Sequence, residues 1–286
     1  MLFGDTSKLD SKTKTIFQTT GIAHLLAVSG FHVSIVLLMI NFILRKLKTP
    51  EKLNIFIIIC LLLFYAYLCE FSISVIRASF MALLALYAAH KRKPYDNLSV
   101  LSLVALILIS INPFEMFNIS FVLSFVSVLS IILLTPNFER LFKKCFEDKF
   151  ASTLAIIFSV QVGVTATSIY YFGYFNPLSI IANLVSIPLV MVSFILFILI
   201  MFLVAIFPFL TFLIKIFDFG MSVVVKFNYF IVSLDLVLNF AKISALVIPI
   251  MILIMFICSD FTFFEKRAKV LSSMILIANI GLLLLL

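Results

Sequence analysis

From Leu53 to His90 the chain runs for 38 residues with only Glu70 and Arg77 charged. As one helix this run would be about 57 Å long, roughly twice the ~30 Å hydrocarbon core of a bilayer. It therefore has to double back, and the turn is expected within Leu68–Val75, around Glu70-Phe71-Ser72. Apolar runs of similar character recur to the C-terminus. Lipid offers an open backbone no hydrogen-bond partner, so spanning segments must be helices or closed barrels. Long continuous runs, rather than ten-residue alternating strands, select helices. The composition agrees. Hydrophobic residues make up 64% and charged residues 12% of the 286, against about 45–50% and about 25% in soluble domains. The expected fold is all-α, a polytopic transmembrane helical bundle of about 8–10 spans.

Charges and prolines divide the spans. They are expected at about Ile22–Leu44, the two arms of the Leu53–His90 hairpin, Tyr95–Ile111, Phe117–Leu134 and Phe150–Phe172. A segment after Asn176-Pro177 with an internal Pro188 follows, then Phe209–Leu238, Ile243–Cys258 and Val270–Leu286. Pro136 to Lys149 reads as a charged loop. Residues 1–20 form a short polar segment on the extracytoplasmic side, and residues 21–286 one transmembrane domain. No secretory-signal pattern precedes the first span, which is expected to be retained. The loops after spans one, three and five are basic, with Arg45, Lys46 and Lys48, then Lys91, Arg92 and Lys93, then Arg140, Lys143, Lys144 and Lys149. Those after spans two and four hold only Glu70 and Glu115. By the positive-inside rule the basic loops are cytoplasmic and the N-terminus lies outside. Most of the net charge of +8 is loop Lys and Arg that orients helices, so it does not indicate a nucleic-acid-binding surface. The cysteines, Cys60, Cys69, Cys145 and Cys258, form no CxxC pair, which argues against a zinc knuckle or a disulfide framework.

Polar side chains at membrane depth are costly and are the default functional candidates. Gly21, His24, Ser29 and His32 fall within an arc of about 140° on span one. This arc is a wall facing water or substrate, or a helix seam in which Gly30 permits close contact. Ser29 as a hydrolase nucleophile would need a nearby base and usually a Gly two residues earlier, where the chain has Ala27. The other histidines are His24 and His32 on the same helix and His90 at the far end of span three. His24 and His32 are spaced i, i+8 without an adjacent carboxylate or Cys, which does not make a zinc site. No metal and no cofactor are expected. Arg77, just past the hairpin turn, either pairs with Glu70 or faces a polar passage and attracts an anion. Gln161, and Asn183 ahead of Pro188, sit on polar rows of spans six and seven. On span eight Lys215, Asp218, Ser222, Lys226, Tyr229 and Ser233 occupy a stripe under about 90° wide, so that helix either lies in the interface plane or lines a passage. The arc of span one, Arg77 and this stripe are expected to face one hydrated cavity.

Residues 21–34, Gly-Ile-Ala-His-Leu-Leu-Ala-Val-Ser-Gly-Phe-His-Val-Ser, resemble the signature of the ComEC family of competence proteins. Leu2-Phe3-Gly4-Asp5 with Thr20-Gly21 fits the same block. Three further blocks follow in family order: Ser74-Val75-Ile76-Arg77-Ala78 with Met81; Asn112-Pro113 with Ser120 to Phe125; and Gln161, Tyr171-Phe172-Gly173 and Asn183 to Leu189. Beyond about residue 205 the likeness is one of hydropathy. The resemblance implies a multi-pass channel of the bacterial inner membrane that passes single-stranded DNA into the cytoplasm during natural transformation. It also implies other competence proteins and a cytoplasmic helicase or single-strand-binding protein as partners, and is compatible with a homo-oligomer. Many members add an extracellular nucleic-acid-binding domain and a metallo-β-lactamase-like domain. Neither occurs in these residues, and with no His/Asp ligand cluster the chain is expected not to be an enzyme. The alternatives are an intramembrane hydrolase using Ser29 with His24 or His32, and a transporter of another solute.

Overall fold

The computed structural model describes residues 10–22, 30–240, 244 and 247–260, with only the backbone of Phe31. Among the described residues ten α-helices follow in order. They are α1 (Ser11–Thr19), α2 (Gly30–Lys46), α3 (Glu51–Leu68), α4 (Ile73–His90) and α5 (Asn97–Ile111). Then come α6 (Ile119–Phe142), α7 (Asp148–Phe172), α8 (Ser179–Ile206), α9 (Ile214–Ser233) and α10 (Val247–Cys258). Six of these segments are long and apolar enough to cross a membrane, with α5 and α10 shorter. The chain is an all-α, multi-pass membrane protein. His24, Ser29 and the last expected span, Val270–Leu286, lie outside the described residues.

Local chemistry sets the helix ends. The α3–α4 turn falls where the long apolar run requires it, with Glu70 and Phe71 both left-handed at φ 52° and 51°. α5 begins at Asn97 rather than Tyr95 because Asp96 caps it, accepting the Ser99 N–H at 2.9 Å. Asn112 and Asn118 each accept a backbone N–H, and they bracket a 3₁₀ turn at Pro113–Phe117. Gly173, at φ 74°, closes α7 in the left-handed conformation that costs glycine nothing.

One boundary differs from expectation. α6 does not stop at Leu134 but continues through Pro136 to Phe142. Proline removes one backbone donor from a helix interior, and the turns beyond it hold by other means. Lys143 Nζ lies 2.9 Å from Glu139 Oε1 one turn earlier. Ser152 of α7 donates to the same carboxylate oxygen at 2.6 Å, and Phe138 and Phe142 pack on Phe158.

The tertiary contacts order the crossings. His90 Nδ1 at the end of α4 lies 2.9 Å from Glu51 Oε1 at the start of α3. At the opposite end Tyr171 O–H of α7 donates to Phe117 O before α6. Tyr174–Phe175 (β1), just after α7, pairs antiparallel with Leu238–Asn239 (β2), just after α9. Asn137 Nδ2 donates to Cys258 O at 2.7 Å, and Arg140 pairs with Asp260, which joins the end of α10 to the end of α6. The chain thus returns to one end after α7 and again after α9, which requires α8 and α9 each to cross. That favours the spanning reading of α9 over the interfacial one.

Within the short polar segment ahead of span one, Ile16 and Phe17 of α1 are buried with Ile22, Val190 and Val224 against α8 and α9. The α6–α7 pair makes the largest helix interface. Gly163 permits it, since a Cβ there would run into Ser130.

Candidate functional site

The described ends of the first sequence block meet the second block on α4 and the helix that carries the fourth, α8. Gly21 has φ 75°, and a Cβ on it would lie 3.1 Å from Ser179 Cβ at the start of α8. At Gly30 an added Cβ would lie 3.1 Å from both Arg77 Nη2 and Ala78 Cβ of α4. Glycine at this position thus lets α2 sit directly on the guanidinium. His32, 1% exposed, meets Phe194 of α8 edge-to-face at 4.6 Å. The described ends of the first block therefore touch α4 on one side and α8 on the other.

Arg77 is buried, at 7% exposure. Its Nε–H donates to Ser124 Oγ of α6 at 2.8 Å, and its guanidinium lies 5.8 Å from the Phe125 ring. Among the described residues Nη1 reaches only the Met81 sulfur, at 3.8 Å. None of the ion pairs among the described residues includes Arg77. The expected alternative of a structural pair with Glu70 is thereby corrected: Glu70 stays exposed in the turn while Arg77 points to α6. A guanidinium carries five N–H donors, and neutral partners of this kind leave its charge uncompensated.

A second polar seam joins α8 and α9. Ser179, Asn183 and Ser186 are buried along one face of α8. Asn228 of α9, 0% exposed, donates through Nδ2 to Ser186 Oγ and to Val224 O, both at 2.8 Å. The Oδ1 atoms of Asn183 and Asn228 and the Ser179 hydroxyl have no partner among the described residues. Buried polar atoms without partners are uncommon in packed interiors. Pro188 lies on the exposed side of α8.

The stripe of α9 does not share this interior. Lys215, Asp218, Lys226, Tyr229 and Ser233 are exposed, Ser222 is half-buried, and the packed face is the opposite one, Val224, Asn228 and Ile231. The expectation of one cavity for Arg77 and the stripe is corrected. The amide of Asn228 and the small Gly220, where a Cβ would lie 2.5 Å from Ser193 Oγ, turn α9 so that its charges point outward. Lys12 of α1 covers the outer part of the stripe, with Nζ 5.1 Å from the Tyr229 ring centre. Gln161 is half-buried on α7, and its carbonyl accepts from Thr165. Sequence reasoning missed Asn228 and Phe194. The signal for Asn228 was a lone amide on the apolar side of an otherwise striped helix, while Phe194 had none among 34 phenylalanines. Among the described residues no group of His, Cys, Asp and Glu could hold a metal.

Crossing helices with a buried cation and polar seams define a membrane protein that holds polar side chains between its helices. The sequence matches the Competence protein family over residues 1–264, and the chain belongs to that family. It is similar to ComE operon protein 3 of Bacillus subtilis, 32% identical over 123 residues, which are 43% of this chain and 16% of that protein. It is also similar to Recombination protein 2 of Haemophilus influenzae, 30% identical over 132 residues, 43% of this chain and 17% of that protein. The matched stretches span less than a fifth of either relative. No solved structure matches the chain.

Proposed function

We propose that this protein passes single-stranded DNA across the bacterial inner membrane into the cytoplasm during natural transformation. Membership in the competence family supports DNA uptake as the process. One observation carries the physical part: cations at membrane depth without counter-ions. Arg77 is buried at the junction of α2, α4 and α6, and Lys215 and Lys226 lie on the exposed stripe of α9. None of the three is in an ion pair among the described residues. A Lys at the centre of a helix costs about 2.5–3.5 kcal/mol in hydrocarbon. The stripe is therefore read as facing water or another polypeptide, which a homo-oligomer or the other competence proteins would supply. A polyanion needs scattered positive charge that attracts each phosphate and lets it leave.

The experiment is a transformation assay in a strain lacking the gene, scored alongside growth on defined solutes. Loss of transformation with normal growth supports DNA passage. Normal transformation with a defect on one solute would point to a transporter instead.

A further inference from the structure

The α3–α4 hairpin and α5 leave between them an apolar groove of about 370 Å³ that plays no part in the proposed DNA path. Its walls are Leu62, Ile76, Leu83, Leu108 and Phe121. Along α4 it runs from Ile73 to Leu83, about 15 Å at 1.5 Å per residue. That is half of the ~30 Å hydrocarbon core, the depth of one leaflet. The rim is apolar and open, with Leu63 59%, Phe71 53% and Phe80 39% exposed. Within the groove Ser79 is 8% exposed, and its hydroxyl has no hydrogen-bond partner among the described residues.

The mouth carries a charge. Glu115 lines it, its two carboxylate oxygens fixed at 3.1 Å by the side-chain amides of Asn112 and Asn118. No cation pairs with Glu115 among the described residues. The carboxylate sits at the end of the bundle opposite the basic loops, beside the α3–α4 turn.

We propose that this groove binds one acyl chain of an outer-leaflet phospholipid whose primary ammonium headgroup pairs with Glu115. Two features select that occupant. The groove is as long as one leaflet is deep, the reach of one acyl chain. The carboxylate, with no paired cation among the described residues, favours a headgroup that carries an ammonium over one with negative charge alone. The lipid then fills the space between the hairpin that carries Arg77 and the helix that precedes α6.

The test is native mass spectrometry of the full chain, purified from nanodiscs of equimolar phosphatidylethanolamine and phosphatidylglycerol and stripped by detergent exchange. One phosphatidylethanolamine is expected to remain, about threefold to fivefold in excess over phosphatidylglycerol, as one partly exposed ion pair gives. Glu115→Gln keeps the groove and is expected to retain one lipid while losing the preference. Ser79→Phe fills the groove and is expected to lose the retained lipid. Equal retention of the two lipids by the unmodified chain, or an unchanged preference in Glu115→Gln, overturns the proposal. So does a folded Ser79→Phe protein that holds lipid as before. If Ser79→Phe does not fold, the Glu115→Gln comparison alone decides.

Discussion

Arg77 is a cation held by neutral neighbours: the Ser124 hydroxyl, the Met81 sulfur and the Phe125 ring. Burial of an unpaired charge is tolerated where it serves function, and removing it should cost function more than fold. Arg77→Ala is expected to lower transformation by about tenfold to a hundredfold, the range for losing one hydrogen bond to a charged group. Arg77→Lys keeps the charge but not the fork geometry and should retain part of the activity. Equal loss in both variants would show that packing rather than charge matters. Gly30→Ala acts on the same contact from α2. Its Cβ would be 3.1 Å from two neighbours, and overpacking of this kind costs about 1–3 kcal/mol. A lowered melting temperature in detergent is the expected result. Arg77 was legible in the sequence as a costly residue inside a span. Its partners were not, because Ser124 is 47 positions away and only packing joins them.

At the scale of elements, two packing devices can be tested. The α6–α7 seam depends on Gly163 facing Ser130. Gly163→Ala should destabilise the protein by about 1–3 kcal/mol. Ser130→Gly in the same chain vacates the space and should recover most of that loss, so the cycle reads a coupling between the positions. Additive effects would contradict the contact. Helix α5 starts on Asp96, which lies ahead of the spanning segment. The Ser99 hydroxyl and N–H bind its carboxylate and hold its pKa below the ordinary Asp range. A folded-state value lowered in this way contributes stability above the unfolded value of about 3.9, and that stability is lost as pH falls through the folded value. Amide protection in the first turn of α5 should therefore drop on acidification below about pH 4, and Asp96→Asn should remove that dependence. The hairpin turn was legible because no single helix of that length fits a bilayer. The end of α6 was not, because Pro136 and the charges beyond it resemble a loop until Phe158 and Ser152 of the next helix are in place. α1 was hidden for a similar reason. Its two buried residues, Ile16 and Phe17, are too few to mark a packed helix by composition.

The path of the whole chain rests on small contacts between distant segments. Tyr174 and Asn239 are paired across β1 and β2, and antiparallel Cα partners lie about 4.5–5.5 Å apart, within disulfide reach. With the native cysteines replaced by alanine, Tyr174→Cys with Asn239→Cys should cross-link in membranes. No cross-link in a correctly inserted protein would return α9 to the interface. Loop charge predicts the sides of the membrane, and the contacts at the helix ends extend that alternation through α8, α9 and α10. The outward stripe of α9 was legible as a stripe but not in its direction, because periodicity cannot say which side packs. The central claim is that scattered cations carry DNA through this bundle, with Arg77 and Lys226 acting from different places. The most direct measurement is entry of labelled DNA into cells, counted as nuclease-resistant label, for the Arg77→Ala, Lys226→Ala double variant at normal membrane levels. The account predicts a loss larger than either single variant gives. Uptake equal to that of the unmodified protein would contradict it.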